Sequence, residues 1–500
     1  MKNKLTALIL CVALLSSVFC ILSSSASAID GGVAATAPSA VPSSSMQEQE
    51  ELASKVNMTE LEKVLRKGFS SCKKKIDISK FKLDVKYIDA VAEFIRDEMY
   101  DMFHVNTETM QFYYYTDTNR MVEVEVEYIF TAKQQQEGLQ KCKNAVEKLV
   151  RGIKGNSKLS EVEKALLLHD RLALYCEYDY ANFIADKSKY NVYTIYGVFV
   201  DRVAVCQGYS VAYKMLLNEV GIDSYVVNSV KLDHAWNIVY IGGKPYHVDV
   251  TWDDAVWDMN GRVNHDNFLR SNAGIVESGH TANDYDTPAK YSTYENMYWK
   301  DYTSAFTLVG NEIYYVEQTA GSKTAKIRRL SDKAVIADVS FAWPAENYGT
   351  GYTWNDNYTR LATDGTYLYY NSPDSIYRLD VKTKKSTKIY TPNLSYYYAY
   401  HIFGFNYDNG FLIYDIEDTP DFDAYTLVDN KFAYVVVSKG DVNGNGKIDA
   451  QDYALAKRHC LKTLTLNPEQ ITRGDINGNG KIDASEYSLI KRHCLGTYTI

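Results

Sequence analysis

Apolar and polar residues in the middle of the chain change from helical to strand spacing. Residues 207–220 carry apolar side chains at helical intervals, and the two stretches that follow, 234–241 and 244–252, are rich in residues that favour strands. Between these stretches lies Gly242-Gly243, a pair that suits a tight turn. The pattern predicts a helix followed by an antiparallel hairpin.

The predicted hairpin determines which side chains are neighbours. If Ile241 faces Lys244, then Trp236 lies opposite Asp249, and His234 becomes the diagonal neighbour of Asp249 on the same face of the sheet. A histidine and a carboxylate are therefore expected within side-chain reach of each other.

Two capping boxes predict further helices upstream. Ser160 with Glu163 opens one helix, and Thr59 with Glu62 opens another in a region that also contains an alternating strand at 121–130. We expect this earlier region to pack on the core as a lead-in subdomain without chemistry of its own.

Short strands separated by turn residues recur in the tyrosine-rich part of the chain, from 300 to 437. Similar motifs begin at Val309, Thr363 and Tyr407, at intervals of about 45 to 55 residues, which resembles the period of propeller blades. Three units are too few for an ordinary closed propeller, so a partial propeller or a small β-sandwich is favoured. Its aromatic side chains are expected mainly to pack, with sugar or peptide binding as the alternative.

The N-terminal segment has the pattern of a secretory signal peptide. Lys2 and Lys4 precede an apolar run at 5–22 and the small residues Ala26-Ser27-Ala28. The next segment, 29–50, is poor in large apolar residues and is predicted to be a flexible linker. Since no later apolar run could span a bilayer, we expect a secreted, extracellular protein that does not cross a membrane.

Composition narrows the classes of partner and site. A net charge of −9 and an isoelectric point near 5.6 argue against a nucleic-acid partner, which would require a basic surface. Six cysteines lie beyond the signal segment, at 72, 142, 176, 206, 460 and 494, and none is paired at the CxxC spacing of zinc or redox sites. A disulfide framework is not expected.

The C-terminal region contains a duplicated segment, at 440–463 and 474–497, and each copy opens with an EF-hand-type loop. Oxygen ligands fall at every position that such a loop requires, with glycine at the sixth position for the sharp turn. The sequence therefore predicts two Ca²⁺ ions. The predicted ligands are Asp441, Asn443, Asn445, the Lys447 carbonyl, Asp449 and Asp452 in the first loop, and Asp475, Asn477, Asn479, the Lys481 carbonyl, Asp483 and Glu486 in the second.

Each calcium loop leads directly into a predicted helix, at 453–461 and 487–495, and this duplicated arrangement resembles type I dockerins. The resemblance implies docking to a cohesin module of a scaffoldin through the exposed helix faces. An ordinary solvated face is the alternative for each residue. The candidate cohesin contacts are Ala450, Gln451, Lys457, Arg458, Ala484, Ser485, Lys491 and Arg492.

Three central motifs, VCQGY at 205–209, HAWN at 234–237 and YHVDVTW at 246–252, together resemble the transglutaminase-like superfamily of papain-type thiol enzymes. The predicted helix places Cys206 at its N-terminus, where the helix dipole favours the thiolate. The resemblance implies that Cys206 is the nucleophile, His234 the general base and Asp249 the orienting carboxylate. His247 is assigned a structural role, and a degenerate, inactive triad is the alternative.

Together these patterns predict a multidomain α+β chain with a papain-like core, a propeller-like β segment and a small all-α dockerin. The predicted parts are a signal peptide at 1–28, a flexible linker at 29–50, an α+β lead-in subdomain at 51–150, the transglutaminase-like core at 151–295, the tyrosine-rich β domain at 300–437 and the dockerin at 438–500.

The resulting hypothesis is a cysteine hydrolase that cleaves peptide or amide bonds through a Cys206 thioester. By the resemblance to dockerins, it would be part of a cellulosome, a polysaccharide-degrading complex, with protein or peptide as its substrate and polysaccharide as a further candidate partner. Two alternatives remain: a non-catalytic module that binds carbohydrate or protein and retains a vestigial triad, or an acyltransferase that cross-links proteins. No carboxylate pair for glycoside cleavage is apparent.

Overall fold

The computed structural model describes most of the chain from residue 28 onward. The described residues are 28–29, 32–36, 46–254, 259–282, 284–285, 287–345, 349, 351–394, 400–408, 410–420, 431–435, 439–444, 447–477, 480–498 and 500. The signal peptide predicted at 1–28 lies outside them except for its last residue. They form two compact units, residues 1–136 and 137–500, each described by itself below.

The first unit is built on a five-stranded sheet with the order β1-β2-β4-β5-β3, in which all neighbours are antiparallel. Its strands are β1 (Ala28–Ile29), β2 (Gly32–Thr36), β3 (Lys75–Asp77), β4 (Val105–Tyr115) and β5 (Arg120–Tyr128). Its helices are α1 (Met46–Lys55), α2 (Met58–Ser70) and α3 (Ile88–Glu93), with single-turn segments at Ser79–Phe81, Val85–Tyr87, Phe94–Glu98 and Tyr100–Met102. Apolar side chains of α2, α3, β4 and β5 form its core.

Two expectations for the first unit differ from the structure. Helix α2 is capped by Asn57, whose side chain accepts from the Glu60 amide, so Thr59 and Glu62 lie inside the helix and do not form its capping box. Within the stretch expected to be a flexible linker, β2 pairs with β4 and α1 begins at Met46.

The second unit begins with helices that surround the predicted thiol site. They are α4 (Ala132–Leu149, which crosses the division between the units), α5 (Glu161–Ala173), α6 (Tyr180–Ile184), α7 (Cys206–Glu219), α8 (Val250–Asp253) and α9 (Asn272–Glu277). Single-turn helices lie at Tyr190–Tyr193, Gly197–Asp201 and Tyr298–Asp301. The capping box of Ser160 and Glu163 at the start of α5 is confirmed.

A four-stranded antiparallel sheet with the order β11-β10-β9-β8 lies beside α7. Its strands are β8 (Ser224–Ser229), β9 (His234–Ile241), β10 (Lys244–Val248) and β11 (Phe268–Arg270), while β6 (Glu177–Tyr178) and β7 (Val203–Ala204) form a separate parallel pair. The predicted register is confirmed, since Ile241 faces Lys244 and Asn237 faces Val248. Strand β10 ends at Val248 and not near 252, because Asp249 caps α8.

The tyrosine-rich part forms three antiparallel meander sheets of four, four and three strands. The strands are β12 (Thr307–Val309), β13 (Glu312–Gln318), β14 (Ala325–Arg329) and β15 (Val335–Asp338) in the first sheet, β16 (Leu361–Thr363), β17 (Leu368–Asn371), β18 (Ile376–Asp380) and β19 (Lys385–Tyr390) in the second, and β20 (His401–Asp408), β21 (Phe411–Glu417) and β22 (Lys431–Val435) in the third. Each predicted repeat motif forms the first hairpin of one sheet. Whether the sheets are arranged as in a propeller stays a prediction.

Buried polar contacts join the meander sheets to the thiol core. The Phe306 amide donates to Asp170 on α5, and the Asn260 amide donates to the buried Asp415 on β21. The core and the β segment belong to the same compact unit, and the domain boundary expected near 300 stays a prediction.

The C-terminal region contains helices α10 (Ala450–Cys460), α11 (Pro468–Gly474) and α12 (Ala484–Cys494). Its small core includes Val442, Ala456, Leu466, Ile482 and Ile490. Helix α11 was not predicted, although the sequence contains its capping box, formed by Asn467 and Gln470.

None of the helices in the described part of the chain has the length and apolar content needed to cross a membrane.

Candidate functional site

Cys206 is the first residue of α7, and Val205 caps the helix without a side-chain hydrogen bond. The first-turn amides of a helix have no partners within it, so this position favours an anionic sulfur. Gly208, two residues later, permits a close approach of backbone: a Cβ there would lie 2.4 Å from the Val192 carbonyl oxygen. Gly208 therefore makes room for neighbouring backbone.

His234, at the start of β9, contacts the other two predicted triad residues. Its Nε2 donates to Asp249 Oδ2 at 2.7 Å, while the Cys206 thiol also hydrogen-bonds to its ring. Burial would lower the pKa of His234, but the charge and hydrogen bond of Asp249, together with those of Cys206, raise it to about 10. The structure thus brings the three residues together and favours the imidazolium form of His234.

Asp249 is fully buried at the N-cap of α8 and accepts four hydrogen bonds. Its Oδ1 accepts from the amides of Thr251 and Trp252, and its Oδ2 accepts from His234 and His280. Burial would raise the pKa of Asp249, but the two histidines hold it well below the ordinary value. The carboxylate is therefore ionised and held at both oxygens.

Other residues of the three motifs connect the elements that carry the triad. Asn237 donates from its side chain to the Ser210 carbonyl at 3.0 Å and so joins β9 to α7. The Tyr209 hydroxyl lies 2.6 Å from Asp254 Oδ2, next to the end of α8. His247 accepts from Trp236 Nε1, and burial lowers its pKa to about 4. As expected of a structural residue, His247 does not contact the triad carboxylate through a hydrogen bond in the described structure.

Two aromatic residues and one histidine at the site were not predicted as functional residues. Trp252 stacks on His234 with ring centroids 5.1 Å apart and remains 39% exposed, so it lies where the site meets solvent. Tyr178 pairs with Ala204 across β6 and β7 and interacts electrostatically with Cys206. His280 lies 31 residues beyond Asp249, in no motif, and only the fold brings it close.

A second histidine and aspartate cluster lies in the interior. Asp170 accepts from His169 Nδ1 at 2.9 Å and from His265 Nε2 at 3.0 Å, and His169 Nε2 donates to Asp253 at 3.2 Å. Burial would lower the pKa of His169, but the two carboxylates raise it to about 9. His265 also donates from Nδ1 to the Tyr302 carbonyl. All four side chains are buried, and we expect the cluster to have a structural role.

Both clusters have the composition of a metal site. In each, the ligand atoms of two histidines and one aspartate lie within 4.8 Å of one another. Hydrogen bonds within each cluster join these atoms to one another.

The calcium loops also contain buried carboxylates, and their hydrogen-bond donors are amide groups. Asp452 accepts from the amides of Asn443 and Asp449, and Glu486 accepts from the Asp483 amide and the Asn477 side chain. Burial raises the pKa of Asp452, and Asp441 and Asp449 raise it further. Burial likewise raises the pKa of Glu486. All-oxygen donors with uncompensated negative charge fit a hard cation such as Ca²⁺.

The remaining predicted ligands precede the buried carboxylate of their own loop in sequence. Asp441 accepts from the Gly444 amide and Asp475 from the Gly480 amide, as the sharp loop turns require. Lys447 and Lys481 are exposed side chains whose carbonyls are the predicted donors. Asn445 and Asn479 lie outside the described residues.

The candidate cohesin contacts are all on the surface. Each of Ala450, Gln451, Lys457, Arg458, Ala484, Ser485, Lys491 and Arg492 is exposed, and all eight lie on α10 or α12. The two helices that carry them pack together, with the rings of Tyr453 and Tyr487 6.1 Å apart. The surface is available for a partner on both helices.

Comparison with known proteins gives two regional matches. Residues 147–251 match the family model of the transglutaminase-like superfamily, and residues 439–495 match that of the dockerin type I domain. A crystal structure of a TGase is similar over 31% of this chain and 47% of its own, with 16% sequence identity and a TM-score of 0.20, so the likeness spans less than half of that protein. No curated protein matches the chain. The chain therefore contains a transglutaminase-like domain and a C-terminal type I dockerin domain.

Proposed function

We propose that the chain is a cysteine hydrolase that cleaves peptide or amide bonds through a Cys206 thioester. The observation that carries this proposal is the hydrogen-bonded chain from the Cys206 thiol through His234 to the buried Asp249 carboxylate. An inactive triad does not require an imidazole that is hydrogen-bonded to both a thiol and an ionised aspartate. The transglutaminase-like match over the same residues supports acyl chemistry.

In the proposed reaction, Cys206 Sγ attacks the substrate carbonyl carbon and forms a tetrahedral intermediate. The His234 imidazolium then donates its proton to the leaving amine as the C–N bond breaks, which leaves a thioester on Cys206. Neutral His234 next removes a proton from the water that attacks the thioester carbonyl. The second tetrahedral intermediate then releases the acid product and the Cys206 thiolate, and His234 keeps the proton, so the starting pair is regenerated. Asp249 stabilises the imidazolium whenever it is present.

We assign the second oxyanion donor, beside the Cys206 amide, to the Tyr178 hydroxyl. Strand β6 places Tyr178 next to the segment that enters Cys206, through its pairing with Ala204. Burial and the neighbouring Cys206 raise the pKa of Tyr178 well above the ordinary value, so its hydroxyl keeps the proton that it would donate. Tyr178→Phe should lower kcat by about 10²-fold while Cys206 remains reactive towards iodoacetamide.

The dockerin determines where this chemistry takes place in the proposal. With two Ca²⁺ ions bound, α10 and α12 would dock a cohesin module of an extracellular scaffoldin, which would attach the enzyme to a polysaccharide-degrading complex. The type I dockerin match and the exposed faces of both helices support this step. The proposed location is extracellular, after removal of a signal peptide, and the proposed substrate is a protein or peptide.

Transfer of the acyl group to an amine is the alternative outcome of the same thioester. We propose that hydrolysis is faster, since water is in large excess around a secreted complex. A casein assay with a labelled amine separates the two outcomes: more amine incorporated than peptide bonds cleaved would reassign the protein to cross-linking.

The test of the thiol mechanism is Cys206→Ala, with Cys494→Ala as a matched control. Cys206 is buried at the site, whereas Cys494 is an exposed thiol on α12. We expect the first variant to lose all activity on casein and the second to keep it. A thiol-reactive peptide probe, located by mass spectrometry, should label Cys206 preferentially in the wild type. Turnover that persists in Cys206→Ala would contradict the thioester, and equal labelling of all accessible thiols would favour a binding module.

A further inference from the structure

His280 is a second imidazole on the triad carboxylate. Its Nε2 donates to Asp249 Oδ2 at 2.9 Å, and the same oxygen accepts from His234 at 2.7 Å. The other carboxylate oxygen is held by the amides of Thr251 and Trp252. Since a carboxylate oxygen has two lone pairs, His280 occupies one of them and leaves one direction of approach for His234.

Among the described residues, Nε2 is the ring nitrogen of His280 that has a hydrogen-bond partner, and it is directed at Asp249. Its Nδ1 is buried and has no partner there. The ring therefore acts on the triad carboxylate through this single hydrogen bond.

The surrounding fold holds the His280 ring in place. The ring centroid lies 4.0 Å from that of Trp252 and 4.9 Å from that of Trp236. Gly279 has a φ of +119°, and a Cβ there would lie 2.9 Å from Trp252, so glycine allows the chain to press His280 against this indole. The Tyr285 hydroxyl donates to the His280 carbonyl at 2.7 Å.

We infer that His280 is a positioning residue for the thiol reaction: it fixes the Asp249 carboxylate in its ionised form and so directs His234 towards Cys206. This inference rests on the proposed cysteine hydrolase function. Without His280, Oδ2 would lose one donor, the carboxylate could rotate about its anchored side, and the imidazolium would be less well stabilised. The thiolate and imidazolium pair would then form over a narrower range of pH.

The experiment compares His280→Phe, which keeps a ring but removes the donor, with His280→Gln, whose amide nitrogen can reach the same position. The alkylation rate of Cys206 by iodoacetamide is measured from pH 5 to 9 on the full chain by peptide mass spectrometry, together with kcat on casein. Cys494 in the same samples is the internal control. The titratable groups that face this cluster or its neighbours are Cys206, His234, Asp249, Tyr178, His247, Tyr285, Tyr193, Asp233 and Glu295.

In His280→Phe we expect the alkylation rate of Cys206 at pH 6 to fall about tenfold, because one hydrogen bond to a charged group is lost. The acidic limb of the rate profile should move to higher pH. His280→Gln should recover most of the rate, and Cys494 should not change. If His280→Phe loses its folded circular dichroism spectrum, His280→Leu replaces it with the same expected result.

Two different failures can be told apart. A His280→Phe variant with wild-type rate and profile would show that His280 only packs, and would overturn the inference while the proposed function stands. A wild-type Cys206 that reacts no faster than Cys494 at pH 6 would show that the thiol is not activated, and would remove both.

Discussion

Buried carboxylates occur in two regions of this chain, and their surroundings are opposite. In the thiol core, Asp249 and Asp170 each accept from two imidazoles, which hold their pKa values below the ordinary range. In the calcium loops, Asp452 and Glu486 accept from backbone amides and an asparagine, and burial raises their pKa values.

The difference indicates in which region the protein itself compensates the buried negative charge. A buried anion next to imidazolium is compensated within the protein, whereas a buried anion among other carboxylates needs a cation from solution. We therefore expect the core to fold and to position its thiol without an ion, and the dockerin to require calcium.

The largest effect is expected from removing the charge of Asp249. Asp249→Asn cannot stabilise the His234 imidazolium, so kcat on casein should fall by about 10³-fold and leave a small residual activity. Asp170→Asn breaks the equivalent pair in the interior cluster. It should lower the free energy of unfolding by about 3 to 5 kcal/mol, while the fraction that remains folded keeps most of its activity.

Urea unfolding followed by tryptophan fluorescence, together with casein turnover per folded molecule, separates the two variants. If Asp170→Asn reduced turnover per folded molecule as strongly as Asp249→Asn, the interior cluster would take part in the reaction, and its structural assignment would be wrong.

Chelation should have the next largest effect, and only on the dockerin. Without Ca²⁺, the six acidic ligands repel one another, so EGTA should unfold α10 and α12 and abolish cohesin binding. Casein turnover should not change, because the core carboxylates have protein partners. The pKa values of Asp452 and Glu486 are raised in the fold, so their ionisation destabilises the ion-free module. Acidification in EGTA should therefore protonate both side chains and restore the helical circular dichroism signal.

Mg²⁺ added in place of Ca²⁺ is the control, because it fits the larger flexible loop poorly. A dockerin that keeps its helices and its cohesin affinity in EGTA at neutral pH would contradict the view that its carboxylates lack compensation.

Local patterns predicted much of the core. The register of β9 and β10 follows from the Gly-Gly turn and the strand spacing, and helix α7 follows from its apolar positions. One signal in the sequence was overlooked: Asp is a favourable N-cap, and Asp249 ends β10 by capping α8. Asn57 caps α2 in the same way, two residues before the expected position at Thr59.

Long-range contacts could not be predicted in this way. His280, Tyr178 and the interior pair of His169 and His265 lie in no motif, and each reaches its partner only through the packing of separate elements. A single histidine forms no periodic pattern in the sequence, so its carboxylate partner cannot be identified from spacing. The transglutaminase-like and dockerin resemblances were confirmed because each rests on several residues at fixed spacing.

A smaller effect is expected from the titration of His169. Its pKa is raised to about 9 in the folded core, above the ordinary value near 6.5, so the stability that it contributes is complete below pH 6.5 and is lost as the pH rises through 9. The urea midpoint of the wild type should therefore fall more between pH 6 and pH 9.5 than that of His169→Gln. Equal falls in both proteins would show that the interior imidazole is uncharged at pH 6.

The smallest effect concerns the two exposed faces of the dockerin, where the repeat makes one half nearly equivalent to the other. Lys457 and Arg458 on α10 correspond to Lys491 and Arg492 on α12, and all four side chains are exposed.

If the two halves present nearly the same surface, a cohesin can dock in either of two orientations about 180° apart. Replacing one Lys-Arg pair by alanine then leaves the other orientation intact, so cohesin affinity should fall only by about twofold, the statistical weight of the lost orientation. Replacing all four residues should weaken binding severely. In the described part of the chain a helix, α11, directly precedes the second loop only. Titration calorimetry of the three variants in Ca²⁺ measures how far the two halves are equivalent. Loss of binding in one single-pair variant, with wild-type affinity in the other, would assign the interface to one helix and exclude the second orientation.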